Sequence, residues 1–147
     1  MEERLTEELL DELLSSPDPA SYIDQHRPNR RDFTQYINEL AAARGLERKE
    51  VIAAAQLDST YGYMLFSGKR RHPSRDIVLQ FAFGMHLSLL ETDRLLQAAG
   101  ASKLYCKDRR DAIVIFCLDR QTSLDEANEA LFRLGERTLG EDKQGKR

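Results

Sequence analysis

Apolar residues recur every three or four positions along almost the whole chain, and runs of β-branched residues are absent. That period puts the apolar side chains on one face of a helix and is incompatible with the two-residue alternation of a half-buried strand. Gly, Pro and Ser/Asp/Asn clusters interrupt the pattern often enough to keep each helix short. The chain is therefore predicted to be all-α, a bundle of short helices rather than one long coil.

Size and composition agree with this. A chain of 147 residues can enclose one core and carry a small extension. Its 41% hydrophobic and 32% charged content suits a globular domain in water. No apolar run reaches the roughly 20 residues needed to span a bilayer, so no membrane partner is expected. The start, Met1-Glu2-Glu3-Arg4, is acidic and lacks an apolar signal core, which predicts a cytoplasmic protein. Cys106 and Cys117 form no Cys-x-x-Cys pair and are expected to be reduced, structural thiols.

Leu5, Leu9, Leu10, Leu13 and Leu14 make one stripe of an N-terminal helix, which residues 15–19 (Ser-Ser-Pro-Asp-Pro) break. A short helical turn is expected over residues 21–26, before a second break at Pro28 and Asn29. Asp32 is a good N-cap for the next helix, with Phe33, Tyr36, Ile37 and Leu40 on its buried face. Gly45 ends that helix, and Leu46 is placed to pack on Val51 of the next, residues 48–55. Gln56-Leu57-Asp58 is a three-residue turn, and Asp58 caps a helix over Ser59–Ser67 that Gly68 ends. A basic loop, Lys69-Arg70-Arg71-His72-Pro73, leads to Ser74, the cap of a helix over residues 75–83. Ser88 opens a further helix that stops at Gly100. The division this suggests is an N-terminal arm (1–26), a central unit (27–100), a C-terminal helical hairpin (101–139) and a polar tail (140–147).

The hairpin is an internal repeat. Residues 75–100 align with residues 110–135 at a fixed offset of 35, with eight of 26 positions identical. The identities include Arg75/Arg110, Asp76/Asp111, Phe81/Phe116, Leu89/Leu124, Leu96/Leu131 and Gly100/Gly135. Each copy reads as two helices, the second opening on Ser-Leu-x-Glu. Two copies are too few for a solenoid, so the second is expected to stack on the first and extend its core.

Charge is segregated. Residues 27–76 hold ten Lys and Arg against six Asp and Glu, a local charge of +4, in a chain whose net charge is −3. A basic middle between acidic ends suits attraction to phosphate, which acts over about a nanometre at physiological salt.

From Asp32 onwards the order is a helix ending in Gly-Leu, a short helix, a three-residue turn, a second short helix, and then Leu-x-x-Gly-Lys-Arg-x-x-Pro-Ser before another helix. This resembles the lambda-repressor-like, or XRE-type, helix-turn-helix family over nearly half the chain. Its most specific segment is Leu65-Phe66-Ser67-Gly68-Lys69-Arg70-Arg71-His72-Pro73-Ser74. The resemblance implies a helix-turn-helix bundle, with an added N-terminal helix and C-terminal hairpin. It implies double-stranded DNA as partner and Ser59–Ser67 as the helix laid in the major groove. Ser59, Thr60, Tyr61, Tyr63 and Met64 are then expected to face outward and Gly62 and Leu65 inward. Arg48 is expected at a phosphate, and Lys69, Arg70 and Arg71 along the backbone. Pairing on two half-sites adds a homodimer to the expected partners, although no heptad seam is visible.

The segment departs from the family pattern at three points. Gln56 stands where the family turn has Gly, so a positive φ there carries strain. Gly62 replaces an aliphatic residue, at a helix-propensity cost of about 1 kcal/mol unless it permits close helix approach. Phe66 replaces an acidic residue. The outward face also lacks Arg, Asn and Gln, the best bidentate base readers.

Two functions follow as expectations: a sequence-specific transcriptional regulator, or a protein-interaction module, antitoxin-like or an adaptor, that keeps the fold without reading bases. For the second, Tyr61, Tyr63, Met64 and Phe66 would form an apolar patch, and Leu5, Leu9 and Leu13 a docking stripe for a protein partner. Enzymatic activity, metals and cofactors are not expected. His26, His72 and His86 are scattered without ligand spacing, and no phosphate-cradling or nucleophile motif occurs. Glu91 and Glu126 sit where first-turn helix-dipole partners belong. Arg27, Arg30 and Arg31 read as a solvated linker, and Lys107, Arg109 and Arg110 as local ion pairing.

Overall fold

Four helix-to-helix corners among the described residues are made the same way. A residue in left-handed conformation follows the helix, and the next N–H reaches back to a carbonyl five positions earlier. Leu46 N–H donates to Ala41 O at 2.9 Å, Leu57 to Ile52 O at 3.1 Å, Leu87 to Ala82 O at 2.9 Å and Thr122 to Cys117 O at 3.1 Å. This closure satisfies carbonyls that a helix end leaves without partners. The left-handed residues are Gly45, Gln56, His86 and Gln121, with φ between 54° and 66°. Three of the four carry a side chain, which costs about 1 kcal/mol each at such a φ. An apolar residue two of three times follows them and is buried: Leu57 and Leu87.

In the computed structural model, residues 6–20 and 32–140 are described. The chain divides into two units, Met1–Arg31 and Asp32–Arg147. The first contains α1 (Thr6–Ser15). Its Leu10, Leu13 and Leu14 are exposed. The expected turn at residues 21–26, the linker arginines, Leu5 and the side chain of Leu9 lie outside the described residues.

The second unit holds α2 (Phe33–Ala43), α3 (Arg48–Ala54), α4 (Ser59–Ser67), α5 (Arg75–Gly84), α6 (Leu89–Ala98), α7 (Arg109–Asp119) and α8 (Leu124–Arg133). All regular structure among the described residues is α-helical. No described helix is long and apolar enough to cross a membrane. Side-chain caps set the starts. Asp32, Asp58, Ser74, Ser88, Asp108 and Ser123 each accept a backbone N–H from the first turn that follows. Glu91 and Glu126 complete capping boxes by accepting the N–H of Ser88 and Ser123 at 2.9 Å.

The core forms around α5, from Ile77 to Phe83 buried on all sides. Phe81 packs edge-on against Phe33 of α2, with ring centroids 5.7 Å apart, and against Phe66 of α4 at 5.8 Å. Two glycines set the spacing of the short helices. A Cβ on Gly62 would stand 2.7 Å from Ile52 Cγ1, so α4 lies directly on α3. A Cβ on Gly84 would stand 3.0 Å from the backbone nitrogen of Ala55, so α5 also lies close to the end of α3. The close approach expected at Gly62 is therefore what that residue serves.

The two copies of the repeat meet through exchanged ion pairs. Arg75 of the first binds Asp111 of the second through both Nη atoms at 2.8 Å. Arg110 of the second binds Asp76 of the first at 2.9 and 3.0 Å. Each arginine also donates to two carbonyls at matching offsets: Ser102 and Lys103 for Arg75, Arg137 and Thr138 for Arg110. The hairpins α5–α6 and α7–α8 are thus joined with approximate two-fold symmetry. The local pairing expected for Arg109 and Arg110 is instead long-range in both cases: Arg110 pairs across the repeat with Asp76, and Arg109 with Glu136 just beyond α8.

Candidate functional site

The surface to be weighed is the outer side of α3 and α4 with the loop that follows. α4 buries Gly62, Leu65 and Phe66. Helical spacing then turns Thr60, Tyr63, Met64 and Ser67 away from the core. Ser59, Thr60 and Tyr63 are exposed, and Met64 is half-buried. Tyr61 is also half-buried and packs on the core rather than facing outward. Burial raises its phenol pKa, and the nearby charge of Arg70 partly opposes that rise.

Phe66 differs most from its expected place. It is only 2% exposed, wedged against Phe81, so it contributes nothing to an outward apolar patch. Arg48, the first residue of α3, lies over its ring, 5.6 Å from the centroid. That contact brings Arg48 to the C-terminal half of α4.

Asn38 ties these pieces together. Its Nδ2 donates to Thr34 O and to Phe66 O, both at 2.9 Å, and its Oδ1 accepts from Arg48 Nη2 at 3.3 Å. Thr34 Oγ1 donates to Leu65 O at 3.4 Å beside it. One face of α2 therefore holds the end of α4 and orients Arg48. Nothing in the sequence marked this, because Thr34 and Asn38 stand among other polar residues of α2, Gln35 and Glu39. Ser67 also faces outward, its hydroxyl bonded to Met64 O at 3.2 Å.

The basic loop is not uniform. Arg71 bonds Asp32 Oδ2 at 3.3 Å in an exposed pair and folds back towards Gly68. Lys69 and Arg70 are exposed and make no ion pair among the described residues. The local charge is also lower than the sequence count suggests. Arg44 is paired with Glu91 at 2.7 Å, and Arg75 with Asp111, both partners lying beyond residue 76. The exposed cations that remain beside α4 are Arg48, Lys49, Lys69 and Arg70, with Arg71 in its weaker pair.

Elsewhere the described residues contain no cluster of three or more His, Cys, Asp or Glu placed to hold a metal. Cys117 is buried and Cys106 exposed, both as free thiols. Burial raises the Cys117 pKa. Only Cys117 has the interior position expected of a structural thiol. An open pocket of about 700 Å³ is lined by Arg75, Lys103, Tyr105, Arg109, Arg110 and Asp111, among others. Its guanidinium groups are already engaged by carboxylates and carbonyls.

No family model matches the chain, and no curated protein or solved structure is significantly similar to it.

Proposed function

We propose that the chain is a sequence-specific DNA-binding transcriptional regulator of helix-turn-helix type, with α4 entering the major groove and α3 bracing it. The observation that carries this reading is the arrangement of the cations. Arg48 lies over Phe66, and Lys69 and Arg70 directly follow the end of α4. A helix seated in the groove has phosphates along both flanks, and unpaired Lys and Arg there supply the counterion-release part of affinity. Ser59 and Thr60 at the start of α4 are exposed hydroxyls within reach of base edges or phosphate, and Tyr63 offers a ring to thymine methyls. Arg71 adds a backbone contact when phosphate displaces Asp32.

The burial of Phe66 and of half of Tyr61 removes much of the apolar patch that a protein-docking α4 requires. The test is selection of bound duplexes from a random pool at near-physiological salt. A consensus recovered with the full chain supports the reading. Recovery of random sequence, or no salt-sensitive binding, overturns it.

A further inference from the structure

The second hairpin repeats the first but lacks the cover that the first one has. In α5, Phe81 is fully buried beneath Phe33 and Phe66. Its counterpart in α7, Phe116, is 55% exposed. Yet α7 keeps an apolar sequence all round, with seven consecutive apolar residues from Ala112 to Leu118. A helix of that pattern belongs in an interior, not on a surface. Its inner side is filled by Asp111, Val114, Cys117 and Leu118. The outer side carries Arg109, Ala112, Phe116 and Asp119, spaced three, four and three residues apart, which places them on one stripe.

We infer that this stripe is the contact surface for a second copy of the same chain, with two α7 helices packed antiparallel about a two-fold axis near Val114. The charge pattern singles out this occupant. Antiparallel pairing about that point sets Phe116 of one copy over Ala112 of the other. It sets Asp119 against Arg109, and Arg120 against Asp108, each pair occurring twice by symmetry. Arg109 has the freedom to respond, since its side chain is 67% exposed although bonded to Glu136. Arg120 now lies over the Phe116 ring, 4.3 Å from the centroid, shielding the face while it is open. A parallel arrangement would set like charges together at both ends. Two 11-residue helices bury little area, so the dimer belongs to the weak, concentration-dependent class. This inference is independent of the DNA-binding reading, because α7 lies outside the helices assigned to DNA.

The test is sedimentation equilibrium of the full chain up to about 1 mM, where weak interfaces become populated. The wild type is expected to dimerise reversibly. Phe116→Ala should weaken the dimer at least tenfold, roughly the loss of one central aromatic contact. Arg109→Asp alone and Asp119→Arg alone each set like charges together, and each should be monomeric. Mixed in equal amounts, these two variants should form a heterodimer, because one charge pair then forms with its wild-type sign and the other with reversed sign. Far-UV circular dichroism melts of each variant establish that it is folded. A monomeric wild type at the highest concentration overturns the proposal. So does a single-charge variant that dimerises as well as the wild type, or a mixture that stays monomeric.

Discussion

Arg75 holds Asp111 by two hydrogen bonds of 2.8 Å across the repeat, and the symmetry-related Arg110–Asp76 pair mirrors it. Asp111 is 6% exposed and also accepts the N–H of Tyr105 at 3.0 Å. Its carboxylate therefore ties together α5 and the connection before α7, while its own backbone N–H donates to the Asp108 cap. Replacing it by Asn keeps the shape and removes the charge, leaving the Arg75 guanidinium half-buried without its counter-ion. Asp111→Asn is expected to destabilise the fold by about 2–4 kcal/mol, within the range for breaking a desolvated pair from one side. Chemical denaturation of the variant against wild type measures this. A loss below about 0.5 kcal/mol, as for an ordinary surface change, would refute it.

The same groups give the fold a defined acid limit. Burial pushes the Asp111 carboxyl pKa up, but hydrogen bonds from Arg75 and the Tyr105 backbone outweigh it and hold it below its ordinary value. Glu91 is likewise raised by burial and lowered further by the Ser88 backbone and Arg44. A carboxyl group with a depressed folded-state pKa contributes stability that is fully present above its unfolded pKa, about 4, and is lost as pH falls through the folded value. Melting temperature should be flat from pH 7 to about 5 and fall steeply below 4. The Asp111→Asn variant should show a shallower fall, since one of the two groups no longer titrates.

Gly62 is held in place by Ile52. A Cβ there would lie within 2.7–2.9 Å of three side-chain carbons of that residue. Alanine would gain about 1 kcal/mol in helix propensity, but overpacking of this kind costs about 1–3 kcal/mol. The net effect of Gly62→Ala is expected to be destabilising by about 1 kcal/mol. In an Ile52→Ala background the clash is gone, and the same change should become stabilising. A double-mutant cycle by thermal or urea unfolding reads the change of sign. Equal effects in both backgrounds would show that Ile52 is not the obstacle.

Much of the fold was legible because helix ends are local chemistry. Asp32, Asp58, Ser74 and Ser88 cap where their sequence neighbours indicated, and Gly45 and Gly68 end helices as a left-handed residue must. Helix lengths came within a residue, α3 ending at Ala54 and α5 extending to Gly84. What resisted reading depends on contacts distant in sequence. The repeated Arg-Asp dipeptide announced a shared role, yet the exchange of partners between copies is a property of their packing. Phe81 and Phe116 are the same letter at equivalent positions, buried in one copy and exposed in the other, because only the first has α2 and α4 over it. Phe66 looked like a surface residue by its place in a familiar motif, and the core claims it. Asn38 carried no signal of its own, since its role exists only once α2, α3 and α4 meet.

The loop after α4 sets two exposed cations beside a structurally paired one within three residues. Lys69 and Arg70 are exposed and make no ion pair among the described residues, while Arg71 bonds Asp32, the cap of α2. If α4 reads the major groove, Lys69→Ala and Arg70→Ala should each weaken binding to every duplex alike and lower the salt slope by about one unit. Their stability should be unchanged, since they leave no partner unpaired. Arg71→Ala should lower the slope as well, and it should also cost up to about 1 kcal/mol of stability, as an exposed pair does. Ser59→Ala and Thr60→Ala should instead alter which sequences are preferred while leaving the slope nearly unchanged. Fluorescence anisotropy titrations across a salt series, on the selected duplex and a scrambled one, distinguish these patterns. A Lys69 or Arg70 variant that binds with an unaltered slope would place the phosphates elsewhere on the protein.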